Sequence, residues 1–356
     1  MKIGLIGLSK SGKTTIFNAL TKSKADTNSF SAIKNEPNLA IVEVGDKRID
    51  RLTQIYQPKK VVYATVELTD FVGVTKGSGK DGLFPPELMK LVRNVDALTV
   101  VIRNFDDDFS GSPTPREDIE QIEVELLLSD LIVVEKRLER IAEAYKKGLK
   151  NNLLQIEERA LRRIQDQLNH NKFINGLSFD QDEMKTIRTH QLLTQKPVMV
   201  ILNSSETNFG KNDLLLNELN QKYNSIEFAG KFEMELAQLE NEEEIQMFMD
   251  DIGISESARN RLTTAAYDLL GYISFFTVGA DEVRAWNIHK GDTAVDAAAA
   301  IHTDLAKGFI RAECFHYDAL IESGSEKAVR EKGLFRLEGK EYKVRDGDIL
   351  SIRFNI

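Results

Sequence analysis

Gly7-Leu8-Ser9-Lys10-Ser11-Gly12-Lys13-Thr14 is a complete G-x-x-x-x-G-K-[ST] run, and its setting restricts the fold. Lys2-Ile3-Gly4-Leu5-Ile6 before it reads as a short buried strand, and Thr15-Ile16-Phe17-Asn18-Ala19-Leu20 after it reads as a helix start. A strand, a glycine-rich turn and a helix form the phosphate-binding corner of an α/β sheet. The glycines let backbone N–H groups turn toward an anion, and the helix N-terminus adds its dipole. Lys13 supplies a point charge for terminal phosphates and Thr14 a hydroxyl for Mg2+. Lys10, Ser11, Gly12, Lys13, Thr14 and Thr15 are therefore the candidate phosphate ligands. The competing reading, a tight turn without a ligand, leaves the fixed lysine and hydroxyl unexplained.

At 356 residues the chain is expected to hold two or three domains. Its single cysteine, Cys314, allows no intramolecular disulfide and fits a reducing compartment. Cys314 lies in an apolar stretch, which reads as burial rather than redox chemistry. No apolar run approaches a membrane span and no signal-peptide pattern opens the chain, so a cytoplasmic location without membrane association is expected. The net charge of −9 argues against coating nucleic acid through global charge, but leaves room for a local basic patch.

Residues 1 to about 105 alternate strand and helix signals. Val61 to Leu68 reads as one strand ending at Asp70, and Ala97 to Ile102 as a strand buried on both faces. After a polar break the character changes. Leu127, Leu131, Val134, Leu138, Ile141 and Tyr145 alternate spacings of four and three, a heptad seam. Gly148 with Asn151-Asn152 marks a turn, and Leu154, Leu161 and Leu168 continue at sevens. This predicts an antiparallel helical hairpin, although core packing alone also produces such a stripe. Between Lys136 and Arg163 there are nine Lys/Arg against four Asp/Glu, which fits either a solvated face or an RNA- or ribosome-facing surface.

Pro197 to Leu202 resumes the buried-strand pattern, so the hairpin is an insertion. Ile226 to Ala229 reads as a final strand, and Glu233 to Asp251 as acidic helix. From Ile273 onward come short strands (Phe275 to Val278, Glu282 to Trp286, Tyr342 to Val344, Ile349 to Phe354) around a helix over 294–302. The expected divisions are a nucleotide domain at 1–115 and 193–271, an arm at 116–192, and a small α+β module at 272–356.

Asp70-Phe71-Val72-Gly73 matches D-x-x-G at the end of a strand, with Asp70 directed to Mg2+ and the Gly73 N–H to a γ-phosphate. Asn203-Ser204-Ser205-Glu206 stands where base recognition is expected. A guanine-selective N-K-x-D uses its Asp for the N1 and N2 donors, which adenine lacks. Glu206 is longer, and Ser204 replaces the lysine, so weakened guanine selectivity or a preference for adenine is expected. Opening a helix is the alternative role for this segment. Gly230 in Ala229-Gly230-Lys231 is a candidate for the last loop over the base. The five histidines show no metal-ligand spacing, and His302 and Trp286 read as structural residues.

Over nearly its whole length the sequence resembles the YchF subfamily of Obg-like ATPases. The resemblance is carried by the phosphate loop, Glu36-Pro37-Asn38, Asp70 to Gly73 with Lys76-Gly77, and Glu125 to Leu131. It continues through Asn203 to Glu206, Glu282 to Trp286 and Ile301 to Glu313. It implies a P-loop domain, an inserted helical arm and a C-terminal TGS domain. It also implies Mg2+-dependent ATP hydrolysis (GTP remaining an alternative substrate) and a ribosome or ribosomal-RNA partner reached through arm and TGS domain. The departures are specific. Lys10 adds a cation to the middle of the loop. Ala32 stands where the family's switch threonine is expected, leaving Ser31 or backbone carbonyls as substitutes. Val74 and Val100 occupy expected catalytic positions, Val74 in keeping with the family's own hydrophobic substitution and Val100 in place of the family's histidine, and a valine can neither orient water nor transfer a proton. Retained binding with slow or absent hydrolysis follows.

Overall fold

Two sheets organise the chain in the computed structural model, which describes residues 1–21, 37–71, 85–107 and 111–355. The strands begin with β1 (Lys2–Ile6), β2 (Asn38–Glu43), β3 (Lys60–Val62), β4 (Thr65–Asp70), β5 (Ala97–Asn104), β6 (Val198–Ser204) and β7 (Asn224–Phe228). They continue with β8 (Tyr272–Thr277), β9 (Glu282–His289), β10 (Phe309–His316), β11 (Arg336–Glu338) and β12 (Asp348–Phe354). The chain divides into two compact units, Met1–Ala40 with Glu67–Ala258, and Ile41–Val66 with Arg259–Ile356.

The first sheet runs β2-β4-β1-β5-β6-β7. β1 lies parallel between β4 and β5, and β5, β6 and β7 follow in parallel. β5 and β6 are buried along their full length, as apolar parallel strands covered on both faces require. Leu98, Val100 and Ile102 pack with Ile6, Val200, Leu202, Ile119 and Ile122 in one core. The carboxyl ends of β1, β4 and β6 lead into the phosphate loop, Asp70 and Asn203, the edge where parallel α/β sheets place their ligands.

The arm is a 32-residue helix, Pro115–Lys146, followed by the helix Asn152–Asn169. At 1.5 Å per residue the first spans about 48 Å. Gly148 turns the chain at φ +77°, and Asn151 caps the second helix by accepting the Leu154 N–H at 2.9 Å. All nine seam residues fall in one apolar cluster between the helices, so the heptad spacing is a packing register.

In the second unit the order is β11-β10-β12-β8-β9-β3, with β8 and β9 an antiparallel pair. Ala294, Ala297 and Ala298 of the helix Ala294–Ile301 pack with Ile273, Phe275 and Leu350. Cys314 sits in the same core, where burial pushes its thiol up to about 12 and leaves no thiolate for chemistry. The His302 and His316 imidazoles cap the helices that follow them, a structural role that was expected for His302. Trp286 is half-buried; its indole N–H donates to Thr277 at 3.0 Å, and Arg284 lies over its ring.

Three local expectations are corrected. Val61 to Leu68 is not one strand, because Lys60–Val62 pairs with β9 in the second sheet and the chain re-enters the first sheet at Thr65. Residues 41–66 accordingly group with the second unit rather than with the nucleotide-binding one. Tyr342 to Val344 makes only an isolated bridge, Thr293 to Lys343. The acidic stretch Glu233 to Asp251 is also broken, lying in helices Gly230–Leu236 and Glu242–Asp251.

Candidate nucleotide-binding site

The phosphate loop is closed around its own lysine. Lys13 opens the helix Lys13–Thr21 and is almost fully buried, its ammonium donating to the Gly7 and Leu8 carbonyls at 3.1 and 2.8 Å. Burial pulls this ammonium down to about 8, against the charge of Asp70. Thr14 donates its hydroxyl to Asp70 Oδ2 at 2.9 Å, and Asn38 Nδ2 donates to the same oxygen at 3.3 Å. Burial raises the Asp70 carboxyl above its ordinary range, opposed by Thr14, Lys13 and Asn38.

Asp70 Oδ1 and Ser11 Oγ are buried without a hydrogen-bond partner among the described residues. An enclosed carboxylate oxygen without a donor is costly. A hydrated Mg2+ beside the Thr14 hydroxyl would supply such a partner, and hard oxygen donors are the set Mg2+ selects. Thr14 and Asp70 therefore fit the expected metal site.

Asn203 ties the loop to Gly230, the segment expected to lie over a base. Its Nδ2 donates to the Ser11 carbonyl at 3.0 Å, and its Oδ1 accepts the Gly230 N–H at 3.1 Å. Gly12 passes this amide at φ +88°, so close that a Cβ there would collide with Asn203. That is why glycine is required in the loop. Gly230 likewise approaches Asn203 too closely for a side chain. Thr15 is half-buried on the same helix, and Glu206 stands exposed in the turn after β6.

Ser204 departs from expectation. Its hydroxyl donates to Glu227 at 2.5 Å and accepts from Asn104 at 2.9 Å, so it is committed inward rather than offered to a nucleotide. Glu227 also accepts from Gly210 N–H and Asn212, organising the turn that carries Glu206. Sequence reading missed Glu227, because a carboxylate in an apolar strand carries no motif. It also missed Asn38 as a neighbour of Asp70.

Lys10 adopts φ +62°, a left-handed conformation that costs a long side chain about 1–2 kcal/mol. Its ammonium reaches Asp107 Oδ2 at 3.4 Å, just beyond the end of β5. Ser31, Ala32, Gly73, Val74 and the Lys76-Gly77 pair lie outside the described residues. Val100 lies at 1% exposure in mid-β5, opposite Ile6 and Val200, so any side chain there is enclosed by apolar neighbours. Val100→His should therefore destabilise the fold by about 2 kcal/mol without raising turnover. Urea midpoints and single-turnover rates check this; a stable, faster variant would contradict it.

Among the described residues no group of three or more His, Cys, Asp or Glu could hold a metal, and no helix is long and apolar enough to cross a membrane. At the arm, Arg137, Arg159, Arg162 and Arg163 are paired with Glu157, Glu183, Glu158 and Glu183. Lys136, Arg140, Lys146 and Lys147 are exposed.

A family described as a 50S ribosome-binding GTPase matches residues 2–137, and the YchF-GTPase_C family, described as a protein of unknown function (DUF933), matches residues 272–355. The "Ribosome-binding ATPase YchF" of Bacillus subtilis (strain 168) is 38% identical, the match covering 99% of this chain and 99% of the relative. The protein of the same name from Haemophilus ducreyi is also 38% identical, over 100% and 99%. The solved structure of the Schizosaccharomyces pombe YchF GTPase superposes with a TM-score of 0.84 at 32% identity, covering 99% of this chain and 97% of that one.

Proposed function

The chain belongs to the YchF family, and from that premise we propose that it is a Mg2+-dependent ATP-binding P-loop NTPase with slow hydrolysis, acting as a ribosome-associated switch. The observation that carries this reading is the enclosed set Lys13, Thr14 and Asp70, with a carboxylate oxygen unpaired among the described residues beside a helix N-terminus. Such a site is built for a chelated triphosphate.

In this reading the loop N–H groups and Lys13 hold the β- and γ-phosphates, while Thr14 and Asp70 hold Mg2+. The ion, when bound, neutralises charge on the phosphate oxygens. Asn203 fixes the loop against Gly230, and Glu206, without the shorter reach of an aspartate, relaxes selection for guanine. The exposed cations Lys136, Arg140, Lys146 and Lys147 suit ribosomal RNA, as does a C-terminal module of TGS type. The relatives' names as ribosome-binding ATPases support both partner and nucleotide.

A second reading, a nucleotide-dependent binding module without hydrolysis, is favoured by the enclosure of Val100 and by Ala32, which has no ligand oxygen. Calorimetry with ATP and GTP, with and without Mg2+, together with single-turnover hydrolysis in the presence and absence of ribosomes, separates the two. The proposal expects ATP binding that needs Mg2+ and slow hydrolysis to ADP and phosphate. Binding without any turnover supports the second reading, and no triphosphate binding defeats both.

A further inference from the structure

We propose that Lys10 is a cationic catalytic residue built into the phosphate loop: it leaves Asp107, contacts the γ-phosphate of bound ATP and stabilises the charge that develops there during hydrolysis. This rests on the ATP-binding reading above and assigns the loop a second working charge.

The backbone supplies the first argument. At φ +62° Lys10 holds a conformation that glycine adopts freely and asparagine tolerates, whereas a long side chain resists it. A loop that needed only the turn would be better served by either residue. Strain kept at a ligand site points to a role for the side chain that causes it.

The ion pair supplies the second. Lys10 and Asp107 meet at 3.4 Å with side chains 34% and 22% exposed, a long and solvent-screened contact. A triphosphate with several negative charges competes well against a carboxylate at that distance. Asp107 thus parks the ammonium at the carboxyl edge of the sheet, within a side-chain swing of the loop that carries it.

The third argument is the chemistry still open to the site. Lys13, buried at the floor of the loop, is already assigned to holding the bound phosphates, and Val100 has no proton to give. Hydrolysis forms a bond from water oxygen to the γ-phosphorus while the bond to the bridging oxygen breaks. That electron pair leaves with ADP, and the water proton passes to phosphate or solvent. The transition state is loose, so a cation aimed at the γ-phosphate oxygens accelerates it without any proton transfer. Lys10 supplies that cation from within the chain, as an arginine finger does.

Lys10→Asn keeps a residue that tolerates the left-handed backbone and removes the charge, while Lys10→Arg keeps a charge. For Lys10→Asn the ATP dissociation constant should rise about 5- to 20-fold, with the ADP constant changed less than about twofold, as loss of one charge-assisted γ-phosphate contact predicts. Its single-turnover rate at saturating ATP should fall at least about tenfold, with Lys10→Arg recovering most of both effects. Asp107→Asn, which removes this charged contact, should tighten ATP about two- to fivefold. Lys10→Asn with an unchanged ATP-to-ADP affinity ratio and an unchanged rate overturns the proposal. If the wild-type chain binds ATP but never hydrolyses it, while Lys10→Asn loses its preference for ATP over ADP, the contact stands and its catalytic half falls with the hydrolytic reading. If no triphosphate binds at all, the underlying reading fails first.

Discussion

Lys13→Ala is expected to weaken triphosphate binding at least about 100-fold, since it removes a desolvated charge from the phosphate cradle. The pH dependence of the wild-type chain makes this more than a generic loss. Free in water a lysine titrates near 10.5, and in the fold Lys13 is drawn down to about 8 because its ammonium is buried. Between those values the folded protein binds fewer protons than the unfolded chain, so stability rises with pH from about 8 to about 10.5. Below 8 the full penalty of burying the cation is present. A bound triphosphate reverses the preference by stabilising the protonated form. ATP affinity should therefore fall about tenfold from pH 7 to pH 9, with proton uptake on binding that grows across the same range. Calorimetry in buffers of different ionisation enthalpy reads that uptake directly. Urea midpoints between pH 7 and pH 10 should slope upward for the ligand-free wild type and lose that contribution in Lys13→Ala. An ATP affinity that is flat from pH 7 to pH 9 would show that the buried ammonium does not face the phosphates.

The parts of this fold that could be read from sequence are those specified by neighbours in the chain. The phosphate loop is one contiguous run, and β5 and β6 announce themselves as unbroken apolar stretches. The arm repeats its seam at heptad spacing over two helices, so periodicity alone located Leu127 through Leu168 in one cluster. Long-range pairing was not legible. Val61 to Leu68 has strand character throughout, and nothing local says that Val62 belongs to one sheet and Val66 to another. The same limit applied to the site. Asp70 and Asn203 carry motifs, whereas Glu227 and Asp107 act only because the fold brings them to Ser204 and Lys10. Position in a motif also failed to fix side-chain direction: Ser204 lies beside Asn203 in sequence but turns inward. Val100 shows the converse: the apolar run of β5 made its enclosure legible, although its place in the family pattern pointed to a catalytic position.

Arg93→Met is expected to destabilise the chain by about 3–5 kcal/mol, because it strands a buried carboxylate. Arg93 donates to Asp130 at 2.7 Å, to the Gln191 carbonyl at 3.0 Å and to the Ser129 hydroxyl at 2.8 Å. Asp130 is fully buried on the long arm helix, and its other oxygen accepts both the N–H and the hydroxyl of Thr194 at 2.8 Å. The pair therefore fastens three segments: the end of the helix Pro86–Val92, the root of the arm, and the approach to β6. Its net contribution is smaller than the loss on breaking it, since desolvating both charges consumes most of their attraction. A double-mutant cycle exposes the difference. Asp130→Asn keeps an acceptor for Thr194 but carries no charge, so Arg93→Met in that background should cost at least about 2 kcal/mol less than in the wild type. Additive losses in urea denaturation would mean that Arg93 acts through packing and its backbone contacts alone. Strong coupling places the junction of arm and nucleotide sheet on one ion pair, at the point where Leu127 and Leu131 begin the arm's apolar seam.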